Sequence, residues 1–239
     1  MVKILQMLAV CLILVCASGA ARGDDYEDGD AAFRRGDYAT ALKLLSPLAQ
    51  KGQPKAQNYL GGMYNEGHGV AQNYKEAVKW YRLAAEQGNA RSQYNLGSMY
   101  YNGNGVAQDY KEAVKWCRLA ADQGFAEAQA CLGAAYGLGL GVAQNDKEAA
   151  KWLRLAADQG LVKAQRALGS AYVAGRGVAE NYVYGHMWLN LAASSLSGDE
   201  REKETSFLER ISKNMTSAQI EQAQEMARKC QESNFKNCD

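Results

Sequence analysis

The sequence has 239 residues and a formal net charge of +1, so it lacks the one-signed charge excess that nucleic-acid binders and polybasic membrane binders normally carry. Its 47% hydrophobic content is enough for a buried core. Only two prolines, among many alanine, leucine, glutamate and lysine residues, favour helices. We therefore expect a helical protein that does not bind nucleic acid.

The first 23 residues have the layout of a secretory signal peptide. Lys3 precedes an apolar run over residues 4–16 that only Gln6 interrupts, and the small residues of "ASGAARG" follow. A run of about 13 residues spans roughly 20 Å as a helix, which is too short for a bilayer core of about 30 Å. Cleavage after Gly19, Ala20 or Gly23 fits the small residues there, and an uncleaved anchor is the alternative. We expect export, with no stable membrane insertion after cleavage.

The rest of the chain repeats one pattern. The segment "GVAQNYKEAVKWYRLAAEQG", residues 69–88, recurs as "GVAQDYKEAVKWCRLAADQG", as "GVAQNDKEAAKWLRLAADQG" and in a weaker fourth copy, "GVAENYVYGHMWLNLAAS". A fixed period of this length is typical of stacked supersecondary units that complete one another's core. The four tryptophans of the chain all occupy one position of the pattern, at a spacing of 36 residues: Trp80, Trp116, Trp152 and Trp188.

Each copy predicts two helices separated by a glycine-rich loop. In the first copy, Leu60 and Tyr64 share one helix face, and the loop that follows breaks the helix. Asn73 and Glu76 then form a capping-box pattern at the start of the second helix. Gly88 lies where a C′ glycine ends that helix.

The residues A-x-x-x-L-G-x-x-Y-x-x-G-x-G-V, followed by K-E-A-x-x-W and A-A-x-x-G, closely resemble the Sel-1-like repeat family, which is related to tetratricopeptide repeats. The resemblance covers about residues 28–196. It implies an all-α fold, a right-handed superhelical solenoid of helix pairs that generally holds other proteins. We divide the chain into a signal peptide (1–23), an N-terminal tetratricopeptide-like helix pair (24–53), four Sel-1-like repeats (54–89, 90–125, 126–161 and 162–196), and C-terminal capping helices with a cysteine-containing tail (197–239).

The resemblance also implies that the first helices of the repeats line a concave, ligand-facing wall. Residues at the ligand-facing positions differ between copies while the framework does not, although simple drift of exposed positions would give the same contrast. Tyr94 and Tyr101 beside Arg91 favour binding, because aromatic residues and arginine carry much of the energy of protein interfaces. The predicted partner-binding residues are Lys55, Asn58, Asn65, Glu66, Arg91, Tyr94, Ser98, Tyr101, Asn102, Glu127, Lys163 and Arg166.

The sequence contains no recognisable catalytic, metal or cofactor constellation. We interpret His68 as a solvated loop residue and His186 as a partly buried one. The glycine loops follow helices, whereas phosphate-binding glycine loops follow strands. Some cysteine-rich members of the repeat family are described as binding or hydrolysing β-lactams, but the one S-x-x-K sequence, Ser233 to Lys236, lacks the companion S-D-N and K-T-G motifs. We expect no enzyme activity, no cofactor and no metal.

Four cysteines remain after removal of the predicted signal peptide, an even number that permits two disulfides. Cys230 and Cys238 lie in a polar tail, where a core role does not apply, so we expect a local disulfide. Cys117 and Cys131 lie seven residues before and after Gly124. They either bridge the second and third repeats or are two small apolar residues in the core.

The sequence therefore predicts a non-enzymatic scaffold, periplasmic or secreted, that holds a protein or peptide ligand on its concave helical face. One alternative is a β-lactamase-like enzyme of the cysteine-rich type. A lumenal adaptor in a eukaryotic secretory pathway is also compatible with the signal peptide, and the sequon at Asn214 would suit it.

Overall fold

The computed structural model describes residues 23–236 and residue 238, and the regular elements among them are all α-helices. The predicted signal peptide, residues 1–23, lies outside the described residues except for Gly23. The helices are α1 (Gly23–Arg34), α2 (Tyr38–Gln50), α3 (Pro54–Glu66), α4 (Tyr74–Glu86), α5 (Ala90–Asn102), α6 (Tyr110–Asp122), α7 (Ala126–Leu138), α8 (Asp146–Ala157), α9 (Val162–Ala174), α10 (Tyr182–Ser194), α11 (Gly198–Ser212) and α12 (Ser217–Glu232).

The chain divides into two compact units, Met1–Ala84 and Ala85–Asp239. In the second unit, each second helix (α6, α8, α10) packs against its own first helix (α5, α7, α9), and α6 and α8 also pack against the first helix that follows. This is the contact pattern of a helical solenoid, so the predicted all-α fold class is confirmed. No helix in residues 23–236 is long and apolar enough to span a membrane.

The first unit holds a small core between α1, α2 and α3. Leu45 and Met63 are fully buried there, and the Phe33 and Tyr59 rings pack against them. The Tyr59 hydroxyl donates a hydrogen bond to the Asp30 carboxylate, and burial together with this bond raises the pKa of Tyr59 to about 12. His68 stacks on the Tyr38 ring with centroids 4.1 Å apart, so this loop histidine is less solvated than the sequence predicts.

Glycines at one repeating position of the first helices allow the two helices of a pair to pack closely. A Cβ atom on Gly133 would lie 2.7 Å from the Leu153 side chain of α8, and one on Gly169 would lie 2.7 Å from Leu189 of α10. Any larger residue at these positions would clash with the facing leucine. The tryptophan position is fully buried at Trp188 and only partly buried in some of the other repeats.

The loops between paired helices close in the same way in each repeat. In the second repeat, Gly103 ends α5 in the left-handed conformation, and the Asp109 amide returns to the Tyr100 carbonyl at 3.0 Å. The Asp109 carboxylate then accepts hydrogen bonds from the first amides of α6, as the sequence predicts. The Glu112 carboxylate pairs with Lys115 on the next turn.

A ladder of buried glutamines connects successive repeats. The side-chain amides of Gln93, Gln129 and Gln165 each donate to the backbone carbonyl eight residues earlier, at 3.1, 3.4 and 3.4 Å. Each of these carbonyls lies at the end of the preceding helix and also accepts a hydrogen bond from the backbone amide three residues further on, so the glutamine is its second donor. Sequence reasoning missed this function, although the glutamine recurs in every repeat.

The C-terminal helices and tail close the second unit. Helix α12 begins with a capping box of Thr216 and Gln219 and packs on α10. The structure joins Cys230 to Cys238, and both side chains are buried. The Phe235 ring between them lies against Gly160, at the corner between α8 and α9.

Candidate functional site

An apolar groove of about 540 Å³ lies between the first helices α5 and α7, and it extends to the start of α6 and to the corner before α9. All of it belongs to the second compact unit. We call it the groove. Its lining residues are Tyr94, Ser98, Tyr101, Tyr110, Ala113, Val114, Glu127, Ala130, Cys131, Ala134, Ala135, Leu140, Gly160, Leu161, Val162 and Lys163.

The groove exists because the third repeat has small residues where its neighbours have larger ones. Ala130 lines the groove, while the equivalent residues are Tyr94 in the second repeat and Arg166 in the fourth. Ala134 is likewise a smaller residue than the equivalent Ser98. Missing side-chain volume on α7 therefore leaves a depression between the larger side chains on either side.

Tyrosine side chains form one wall of the groove. Tyr101 is 41% exposed and meets Tyr110 edge to face, with ring centroids 5.2 Å apart. Tyr94 is half-buried and packs against Phe125 at 5.6 Å. Burial, with a smaller contribution from Glu127, raises the pKa of Tyr94.

A disulfide lies beside the floor of the groove. The structure joins Cys131 on α7 to Cys117 on α6, with Cα atoms 6.4 Å apart. Of the two interpretations that the sequence left open, the bridge is therefore the one found in the structure. It fixes α7 to the preceding repeat, and Cys131 itself lines the groove.

Two opposite charges lie at the rim. Glu127 and Lys163 occupy equivalent positions in the first turns of α7 and α9, and both side chains are exposed. Neither forms an ion pair with another residue in the part of the chain that the structure describes. The exposed charges of the second helices differ in this respect, since Glu112 pairs with Lys115 and Glu148 with Lys151.

The structure brings five of the twelve predicted partner-binding residues to the groove, namely Tyr94, Ser98, Tyr101, Glu127 and Lys163. Others lie on the same helices outside it. The Arg91 guanidinium lies 5.7 Å from the Phe125 ring centroid, and the Asn102 amide donates to the Ser98 carbonyl at 2.9 Å. Four more lie on α3 in the first unit: Lys55, Asn58, Asn65 and Glu66.

Arg166 is engaged by the chain's own capping helix. Its guanidinium lies 2.7 Å from the carboxylate of Glu204 on α11, and that glutamate is buried. An arginine partner is what a buried carboxylate requires. Arg166 therefore fastens α11 to α9.

The sequence did not identify several residues of the groove. Tyr110 and Val114 lie at the start of α6, and Leu140 lies in a loop. The family resemblance placed ligand-facing positions on the first helices only, so the prediction did not include residues of a second helix or of a loop. Leu140 carried a usable signal, because the equivalent loop residues are His68, Asn104 and Arg176, all polar.

The residues considered for chemistry lie apart from the groove. His186 on α10 is 5% exposed, and burial lowers its pKa. The Ser233 hydroxyl, in the S-x-x-K sequence, donates to the Cys230 carbonyl at 2.8 Å. Over residues 23–236 and 238, no group of three histidine, cysteine, aspartate or glutamate side chains is arranged to hold a metal ion.

Comparison with known proteins identifies the repeat. The Sel1 repeat model matches residues 54–89, 90–125, 126–161 and 162–195. Among solved structures, c5321, a protective antigen present in uropathogenic Escherichia coli strains and displaying an SLR fold, is 35% identical over 87% of this chain, with a TM-score of 0.73. This chain spans 45% of the length of that protein. A Sel1 repeat protein from Oxalobacter formigenes is 35% identical, with a TM-score of 0.68, over 77% of this chain and 74% of its own.

No curated protein is significantly similar to the chain. Sel1 repeat proteins generally mediate protein–protein interactions and are generally non-catalytic scaffolds. The four matched segments cover more than half of the sequence, and the Oxalobacter protein is similar over most of its length. The chain belongs to the Sel1 repeat family.

Proposed function

We propose that the chain is a non-enzymatic scaffold that binds a protein or peptide on the ligand-facing side of its first helices. The observation that supports this most directly is the groove. Side chains at ligand-facing positions of three successive repeats, including Tyr101, Glu127 and Lys163, line the same apolar depression. Stacking alone places equivalent positions of neighbouring repeats side by side, but it gives no reason for an apolar depression between them.

We propose also that the protein is exported, to the periplasm or beyond, without membrane insertion after cleavage. Residues 1–23 have the layout of a signal peptide. Two disulfides join the four remaining cysteines, and such bonds persist in oxidising compartments. The similar Sel1 proteins are bacterial, which favours the periplasm. Cell fractionation with the intact mass of the protein tests this, and a cytoplasmic protein that retains residue 1 would contradict it.

The binding proposal is tested by removing the aromatic wall. In Tyr94→Ala/Tyr101→Ala, we expect capture of partners from the native compartment to fall by at least about tenfold, because interface tyrosines often contribute about 2 kcal/mol each. The variant's helicity and melting temperature are measured first, so that loss of fold is not mistaken for loss of binding.

The matched control is Leu119→Ser/Leu155→Ser, which removes two exposed apolar side chains from the second helices. These leucines are 43% and 48% exposed, similar to Tyr101. Capture by this variant remains at the wild-type level if the groove carries the function. Equal capture by the wild type and the tyrosine variant would overturn the proposal, and turnover of nitrocefin by the purified protein would favour the enzyme alternative.

A further inference from the structure

We propose that the groove takes an apolar peptide segment of a protein partner, flanked by a basic residue on the α7 side and by an acidic residue on the α9 side. This inference rests on the proposed binding function and deepens it. It names the chemistry of the segment and its direction across the repeats, neither of which follows from the repeat family.

The apolar part of the inference follows from the size and lining of the groove. Its volume of about 540 Å³ lies within the range of roughly 300–1,000 Å³ that is usual for ligand sites. The lining is mostly aromatic, aliphatic or alanine, so a polar segment would lose its hydration there and gain few hydrogen bonds in return. Bulky apolar side chains, by contrast, would replace water over the alanine floor on α7.

The walls of the groove are held in place before any ligand binds. The Cys117–Cys131 bridge fixes α7 to α6, and the Tyr101 ring is supported by Tyr110. A site that is already ordered costs less conformational entropy on binding. This favours recognition of a short segment, which has few contacts with which to offset that cost.

The direction of the segment follows from the rim. Glu127 and Lys163 occupy the same position on successive first helices and carry opposite charges. Neither is neutralised by a neighbour among the described residues, whereas Glu112 and Lys115 on a second helix neutralise each other. Unpaired charges at the edge of an interface contribute mainly to specificity. A basic residue placed beside Glu127 and an acidic one beside Lys163 therefore give one favoured orientation.

The experiment pans a displayed library of random dodecapeptides against the full-length mature protein with its disulfides intact. We expect the enriched peptides to share an apolar core with a basic residue on one side and an acidic residue on the other, in one order along the peptide. With Glu127→Lys/Lys163→Glu as the target, which keeps the net charge, the enriched order should reverse. The control swap Glu112→Lys/Lys115→Glu should leave the order unchanged.

A second variant fills the groove. Ala134 is exposed, so Ala134→Trp places an indole in the groove without entering the core, and it should lower binding of the enriched peptides by at least about tenfold. The groove assignment would be overturned if the enriched peptides bound this variant as tightly as the wild type. It would also be overturned if their charge order were the same with the wild type and with the charge-swapped target. Either result would leave a binding function on another surface. Failure to enrich any peptide would overturn the inference, and only an accompanying failure of native capture would overturn the proposed function as well.

Discussion

At the scale of the residue, the buried glutamines show how one side chain makes successive repeats depend on each other. The Gln123 amide donates to the side-chain oxygen of Gln93 at 2.8 Å, and Gln159 does the same for Gln129. The equivalent partner of Gln165 is position 195, where the chain has serine. The side-chain oxygen of Gln165 is consequently buried without a partner among the described residues.

Ser195→Gln should restore the missing hydrogen bond. Ser195 and Gln123 both end their helices with nearly the same backbone angles, so a glutamine at position 195 can point in the same direction as Gln123 does. We expect a gain of about 1 kcal/mol in the free energy of unfolding, or about 2–4 °C in melting temperature. Denaturant titration measures it. The same substitution in a Gln165→Ala background should give no gain, and an equal gain there would refute the explanation.

His186 should make stability depend on pH. Burial lowers its pKa below the ordinary value of 6.5, so the unfolded chain takes up this proton more readily than the folded protein does. The stability from keeping His186 neutral is therefore complete above pH 6.5 and is lost as the pH falls from there towards the folded pKa.

Valine stands at the equivalent position in two other repeats, as Val78 and Val114, so His186→Val is the matched variant. We expect its free energy of unfolding, relative to the wild type, to stay nearly constant above pH 6.5 and to rise as the pH falls from there to 5. Urea titrations at several pH values provide the measurement. A constant difference between the two proteins across this range would show that His186 does not titrate as inferred.

At the scale of the element, loops attach the third and fourth repeats to the repeats before them. Gly177, in the loop before α10, has a φ of +72°, and a Cβ atom there would overlap the carbonyl of Asp146 at the start of α8. Gly141 approaches Tyr110 in the same way. Glycine is required at these positions for two reasons: the backbone is in the left-handed region, and the backbone of another helix lies against it.

Gly177→Ala should therefore cost more than an alanine at another left-handed glycine. Gly124 is the control, since its φ is +86° and nothing lies within 4 Å of a Cβ atom there. We expect Gly124→Ala to cost about 1–2 kcal/mol and Gly177→Ala about 1–3 kcal/mol more. The comparison uses urea unfolding of the two variants side by side. Equal losses would mean that the close approach to Asp146 contributes nothing.

At the scale of the whole molecule, the sequence predicts the fold from its period but predicts the groove only in part. Periodicity identifies the helix pairs, because residues such as Trp188 and Leu168 recur where the core requires them. Tyr94 and Tyr101 were identified because they are aromatic residues at the ligand-facing positions that the family resemblance implies. Tyr110 was missed because the equivalent residues Tyr74 and Tyr182 are also tyrosines, which makes it look like a residue that the repeat needs for packing.

The remaining features depend on contacts between residues that no repeat brings together. Glu204 pairs with Arg166, and Phe235 covers Gly160, although neither contact has a counterpart elsewhere in the described chain. A contact that occurs only once leaves no repeating pattern in the sequence. The sequence alone therefore does not predict which residues of α11 or of the tail contact the repeats. The repeats are consequently the part of the molecule that the sequence predicts, whereas the packing of the C-terminal cap is seen only in the structure.

The central claim is that the groove, rather than the outer surface of the second helices, contacts the partner. A photo-crosslinking amino acid at Tyr101, compared with one at Leu155 and both used in the native compartment, tests it most directly, because the two positions are 41% and 48% exposed. The account predicts a discrete crosslinked product from position 101 that is absent from position 155. The same product from both positions, or a product from position 155 alone, would contradict it.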